Sequence, residues 1–133
     1  MAIRVYHRDR PDVRLPMIAS DARLVVWPGV GAVSANMNYV RMQPGEENVP
    51  HTHMESEDTI FILSGKGTIE DLTHGLELPF EAGQAIQVPA GVRHKVKADR
   101  GEEIVSVGGP CPADFALLRA AGVLPSEAEQ GRG

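Results

Sequence analysis

The chain has 133 residues and a net charge of -5, with 42% hydrophobic and 23% charged side chains. Phosphate backbones are bound by clustered basic surface, so nucleic acid is not an expected partner. No apolar run reaches the ~18 residues that cross a bilayer, so no membrane partner is expected either. The length suits one domain with its own core.

Arg4, Arg8, Arg10 and Arg14 are interleaved with Asp9 and Asp12, and residues 1–20 are expected to form a solvated, mobile arm. With four arginines and no apolar stretch in the first fifteen residues, no secretory signal is expected. The single cysteine, Cys111, has no internal disulfide partner and reads as structural. A reducing cytoplasm fits it.

Fourteen glycines and ten prolines punctuate short apolar runs, a pattern of many short strands rather than long helices. Residues 22–27 read as a strand ended by Pro28-Gly29, and 33–42 as one ended by Pro44-Gly45. Residues 59–63 are β-branched and large apolar, as in a strand buried on both faces. Ser64-Gly65-Lys66-Gly67 reads as a tight hairpin leading into 68–72. A turn at 71–75 follows, and 85–88, 94–98 and 104–107 complete a series typical of a sandwich or barrel. Phe115, Leu117, Leu118 and Ala121 fall on one helical face over 112–122. Pro112 and Asp114 suit its start, Gly122 its cap, and Pro125 stops it. That helix is expected on the barrel exterior, and residues 126–133 are expected to be disordered.

In a strand, His51 and His53 point to the same face, so both imidazoles can converge on one ion. They belong to a run Gly45-x5-His51-x-His53 followed by acidic residues and Gly65. A second run reads Gly83-x5-Pro89-x-Gly91-x2-His94. His7 and His74 stand in charged or turn contexts and read as surface residues. No GxSxG, P-loop or dinucleotide fingerprint is present.

The two linked runs, Gly45 to His94, resemble the two motifs of the cupin superfamily. That resemblance implies an all-β domain, a double-stranded β-helix or jelly-roll barrel over 22–109, with a short C-terminal helix. It implies metal ligation by His51, His53 and His94, the last facing the pair across the barrel. The fourth ligand of the family is acidic. Counted from His53, Glu57 and Asp58 both qualify; counted back from Gly65, only Asp58 keeps the family spacing. Asp58 is favoured, with Glu57 the alternative, which strand parity would turn outward. Ala98 stands where the family usually has asparagine. Parity places Val96 and Ala98 with His94, and Ile60 and Ile62 with Asp58, so a mostly aliphatic chamber is expected. Tyr39, Arg41 and Gln43 share one face of the 33–42 strand and are candidate pocket residues; their direction is open.

Three imidazoles and a carboxylate suit one divalent transition metal, Fe, Mn, Ni or Zn. The resemblance implies small-molecule chemistry at that ion, with dioxygenase-type oxidation first. A Lewis-acid isomerase or decarboxylase with Mn or Zn, and a non-catalytic binding module, are the alternatives. A homodimer is expected, with Val25, Trp27 and Phe61 as candidate contacts or second-layer core.

Overall fold

The computed structural model describes residues 2–10 and 12–125, so the tail expectation for 126–133 lies outside the described residues. Two antiparallel sheets face each other. Strands β1 (Asp21–Val26), β2 (Met37–Met42), β3 (Glu57–Ser64), β6 (Ala85–Val88) and β8 (Ile104–Cys111) form the larger, in the order β1-β2-β8-β3-β6. Strands β4 (Lys66–Asp71), β5 (Leu76–Glu81) and β7 (His94–Ala98) form the smaller, in the order β5-β4-β7. Among the described residues one α-helix, α1 (Phe115–Ala120), follows, and a single 3-10 turn (Pro28–Val30) lies between β1 and β2. Among the described residues, no helix is long and apolar enough to cross a membrane.

The smaller sheet is extended by chain that forms no regular strand. Residues 46–51 run along β7: Ala98 N–H donates to Glu46 O (2.8 Å), and Asn48 N–H to Val96 O (3.0 Å). The return bond from Val96 N–H goes to the Asn48 side-chain Oδ1 at 2.9 Å. His51 and His94 close the series with a reciprocal pair, 3.0 Å each way. The HxH pair therefore sits on extended backbone at a sheet edge, not within a full strand.

Strand β3 alternates regularly. Asp58, Ile60 and Ile62 point in, whereas Thr59, Phe61 and Leu63 are exposed. The expectation of a strand buried on both faces fails here, because an antiparallel sheet buries one face against its partner sheet and solvates the other. The hairpin expected at Gly65 also fails. β3 pairs with β6 and β8, and β4 with β5 and β7, so Gly65 turns the chain from one sheet into the other. Its φ is +91°, and a Cβ there would lie 2.2 Å from Glu103 O. Strand β5 was not anticipated, because Pro79 interrupts its pattern; it is an edge strand, where a missing donor is tolerated.

The arm expected to be mobile is partly docked. Leu15 N–H donates to Ala22 O and Leu24 N–H to Val13 O, both at 2.9 Å, which adds residues 13–15 to the edge of β1. Leu15 and Ala19 are buried in the core with Leu24, Ile62, Ile104 and Leu118. Trp27 is also buried, so of the three residues considered for a dimer contact it belongs to the core, while Phe61 is exposed.

Candidate metal centre

The two histidine runs meet because the 46–51 segment lies beside β7. The rings of His51 and His94 are tilted 58° to each other with centroids 4.3 Å apart, and that of His53 lies 5.0 and 5.6 Å from them. Each ring offers one nitrogen, and the three lie within 4.8 Å of one another.

The other nitrogen of each ring is already engaged. Nδ1 of His51 donates to Val49 O (2.9 Å), and that of His94 to Val92 O (3.0 Å). Nδ1 of His53 donates to Asp114 Oδ2 at 2.7 Å. Carbonyls and carboxylates only accept, so each Nδ1 carries the hydrogen; in the neutral ring, the form that binds a metal, Nε2 then holds the lone pair. His94 Nε2 is buried without a protein hydrogen-bond partner among the described residues. A buried acceptor so oriented is costly unless a cation or donor satisfies it.

Asp58 lies beside the trio, its Oδ2 3.5 Å from His53 Nε2 and its Oδ1 buried without a hydrogen-bond partner among the described residues. Glu57 points outward and accepts from Gln87 Nε2 at 3.0 Å. Three imidazole nitrogens and an inward carboxylate with free lone pairs are a donor set that fits a divalent transition ion.

Burial sets the protonation of the rings. It pushes His51 down to about 4 and lowers His94 as well; repulsion from His94 and His53 adds to the first shift, and repulsion from His53 to the second. Burial acts on His53 in the same direction, but its contacts to the Asp58 and Asp114 carboxylates outweigh it and raise the ring above its ordinary value.

The trio lines a chamber of about 70 Å³, large enough for a few ordered waters. Val40, Met42, Ile60, Ile62, Ile86, Val96 and Ile104 line it, with Leu15 and Ile18 from the N-terminal segment and Leu117 and Leu118 from α1. The expected aliphatic character is present. Ala98 is buried in the core but does not line the chamber. Helix α1 roofs the chamber instead of packing on the barrel exterior.

Tyr39, Arg41 and Gln43 lie elsewhere. Strand β2 begins at Met37, and its even positions Asn38, Val40 and Met42 face the chamber. Tyr39 lies on the outer face under Arg8 and Arg23, and Arg41 is bound to Glu103 at 2.7 Å. Gln43 is exposed in the following turn. His74 is exposed and bound to Asp71, and His7 lies near Asp9. Cys111 is exposed, its thiol near Ser34 O.

The polar lining escaped the reading of the sequence. Asn36, Asn38, Asn48, Ser106 and Asp114 all border the chamber. Only Asp114 carried a local signal, as an acid at a helix start, and that signal spoke of capping alone.

Known proteins place this geometry in context. The chain is 31% identical over 84 residues to a polyketide synthase, CurC, of Streptomyces cyaneus, covering 62% of this chain and 53% of that one. It is 30% identical over 74 residues to germin-like protein 3-5 of Oryza sativa subsp. japonica, covering 51% and 33%. The chain thus spans between a third and about half of the length of these relatives. Among solved structures, the polyketide cyclase RemF of Streptomyces resistomycificus superimposes with a TM-score of 0.70 at 23% identity, over 86% of this chain and 82% of that one. The likeness shows a shared double-stranded β-helix. The Cupin domain family matches residues 38–107, which carry all three histidines, and the chain belongs to that family.

Proposed function

We propose that this chain is a metal-dependent cupin enzyme acting on a small, largely apolar organic molecule that bears oxygen donors, of the polyketone or phenol kind. The observation that carries this reading is the grouping of three imidazoles, each with Nδ1 held by an acceptor and the three ligand nitrogens within 4.8 Å of one another, on the wall of an aliphatic chamber. His51, His53, His94 and Asp58 would hold one Fe, Mn, Ni or Zn ion. Such an ion supplies Lewis-acid polarisation of a substrate oxygen and, where redox-active, a route to oxidation by dioxygen.

The chain's own residues do the rest. The aliphatic walls exclude water and favour an apolar carbon skeleton. Asn36, Asn38 and Ser106 offer the few polar contacts that can orient oxygen substituents. A sugar would leave most of its hydroxyls unpaired against these walls.

The relative named as a polyketide synthase and the structure named as a polyketide cyclase support a polyketone substrate, with ring closure as the first reaction. Dioxygenase-type oxidation is the second reading, favoured by the aliphatic walls around the site. Exposed Phe61 and Leu63 on the outer face of the larger sheet support a homodimer, which gel filtration tests.

The test begins with elemental analysis of protein purified without a histidine tag, where near-stoichiometric transition metal is expected. Failure to hold Fe, Mn, Ni or Zn after reconstitution overturns the reading. Loaded protein is then mixed with a panel of 1,3-diketones and phenols, with and without oxygen. Anaerobic loss of substrate supports the first reaction, oxygen consumption matched to substrate loss supports the second, and neither leaves the enzyme reading overturned.

A further inference from the structure

Asp114 lies beyond residues 38–107, the stretch matched by the family, and uses both carboxylate oxygens. Oδ1 accepts from Leu117 N–H at 3.0 Å and so caps the start of α1. Oδ2 accepts from His53 Nδ1 at 2.7 Å. The partners of His51 and His94 are carbonyls only two residues away in sequence, whereas Asp114 is 61 residues from His53. Ser56 adds a second tie, its hydroxyl donating to Pro112 O at 2.6 Å.

A helix cap requires one oxygen, and serine or asparagine supplies it as well as aspartate does. The second contact is therefore unexplained by capping. A carboxylate on the far nitrogen of a metal-binding imidazole fixes the ring's tautomer and angle and makes the ligating nitrogen more basic. The contact also lies at the short end expected of charge-assisted bonds.

We infer that Asp114 is a positioning residue for the metal centre: it sets His53 in its ligating form and ties ion binding to the seating of α1, whose Leu117 and Leu118 roof the chamber. This rests on the reading that the three histidines hold a metal. Because one side chain serves both ends, the coupling is reciprocal: holding the helix favours the ion, and the ion favours the docked helix.

The experiment uses the full chain and Co(II) alone, followed by its absorption bands, with no substrate. Asp114→Ser keeps a capping hydroxyl but is too short to reach His53. Its Co(II) dissociation constant is expected to rise by about 10- to 100-fold, while the metal-free protein still melts cooperatively, its midpoint lowered by no more than about 10 °C by the loss of the acceptor at His53. In wild type, Co(II) is expected to slow amide exchange at Leu118 and Ala121 of the α1 segment, a readout independent of whether the variant folds. A Co(II) affinity in Asp114→Ser within about twofold of wild type, or α1 exchange indifferent to Co(II), overturns the inference. Wild type that binds no Co(II) overturns the metal reading itself, so the two failures are distinguishable.

Discussion

His51 and His94 are joined by a reciprocal pair of backbone hydrogen bonds, 3.0 Å each way, and their rings lie 4.3 Å apart. This bridge, the last in the series that joins 46–51 to β7, is the point at which the two histidine runs become one site. The backbone holds both rings before any ion arrives, so little ordering remains to oppose binding.

Removing either ring should therefore cost affinity without costing the fold. His51→Ala and His94→Ala are each expected to weaken transition-metal binding by at least about 100-fold, as loss of a direct ligand exceeds the 10- to 100-fold cost of losing an outer partner. His74→Ala, remote and bound to Asp71, should bind as wild type does. Calorimetric titration with Zn(II) checks all three, and equal affinity across the set would sink the assignment.

The acidic position divides in the same way. Asp58 is buried with Oδ1 unpartnered, and Glu57 is exposed and engaged with Gln87. Asp58→Ala should weaken Co(II) binding by at least about tenfold, whereas Glu57→Ala, which loses only an exposed hydrogen bond, should stay within about twofold. The reverse order would mean that the strand is read one residue out of register.

Much of this was legible in the sequence because ligands at i and i+2 on extended backbone share a face whatever surrounds them. The inward direction of Asp58 followed from counting back from Gly65 along a strand with no room for an extra residue. The parity of β2 was not legible. Polar Asn36 and Asn38 border the chamber while Met37 is half exposed, an inverted pattern found where a site overrides core logic. Tyr39 and Arg41 consequently lie outside. Leu15, Ile18 and Ala19 were hidden among charges that suggested a solvated arm. The bond from Asp114 to His53 spans 61 residues, and no local pattern announces such a contact.

The metal-free protein should lose stability in mild acid. His51 titrates at about 4 in the fold against an ordinary 6.5, so folding favours its neutral form. Its contribution is complete above about 6.5 and is lost as pH falls toward 4; His94 shifts in the same direction. His51 alone accounts for on the order of 3 kcal/mol across that window. His53 is raised and acts oppositely, losing its contribution as pH rises through its folded value. Urea midpoints of chelator-treated protein should therefore fall between pH 6.5 and 4.5, and the fall should shrink in His51→Gln. A flat profile would show that the rings are not held in the dry environment described.

Two glycines of the histidine-bearing runs should differ in how they tolerate a side chain. Gly45 has φ +75° with nothing within 4 Å of an added Cβ, whereas Gly65 combines φ +91° with a Cβ 2.2 Å from Glu103 O. At Gly45, alanine meets only left-handed backbone strain, about 1–2 kcal/mol, and asparagine should cost less. At Gly65 the same strain is joined by collision with the backbone entering β8, where the β3–β8 register is already irregular between Ile62 and Ser64. Gly65→Ala should cost more than about 3 kcal/mol, since neither strand can retreat without breaking its ladder. Denaturant midpoints of Gly45→Ala, Gly45→Asn and Gly65→Ala measure the difference. Equal losses for the two alanine variants would mean that the crossing between sheets is looser than this close approach implies, and that Gly65 serves only its backbone angle.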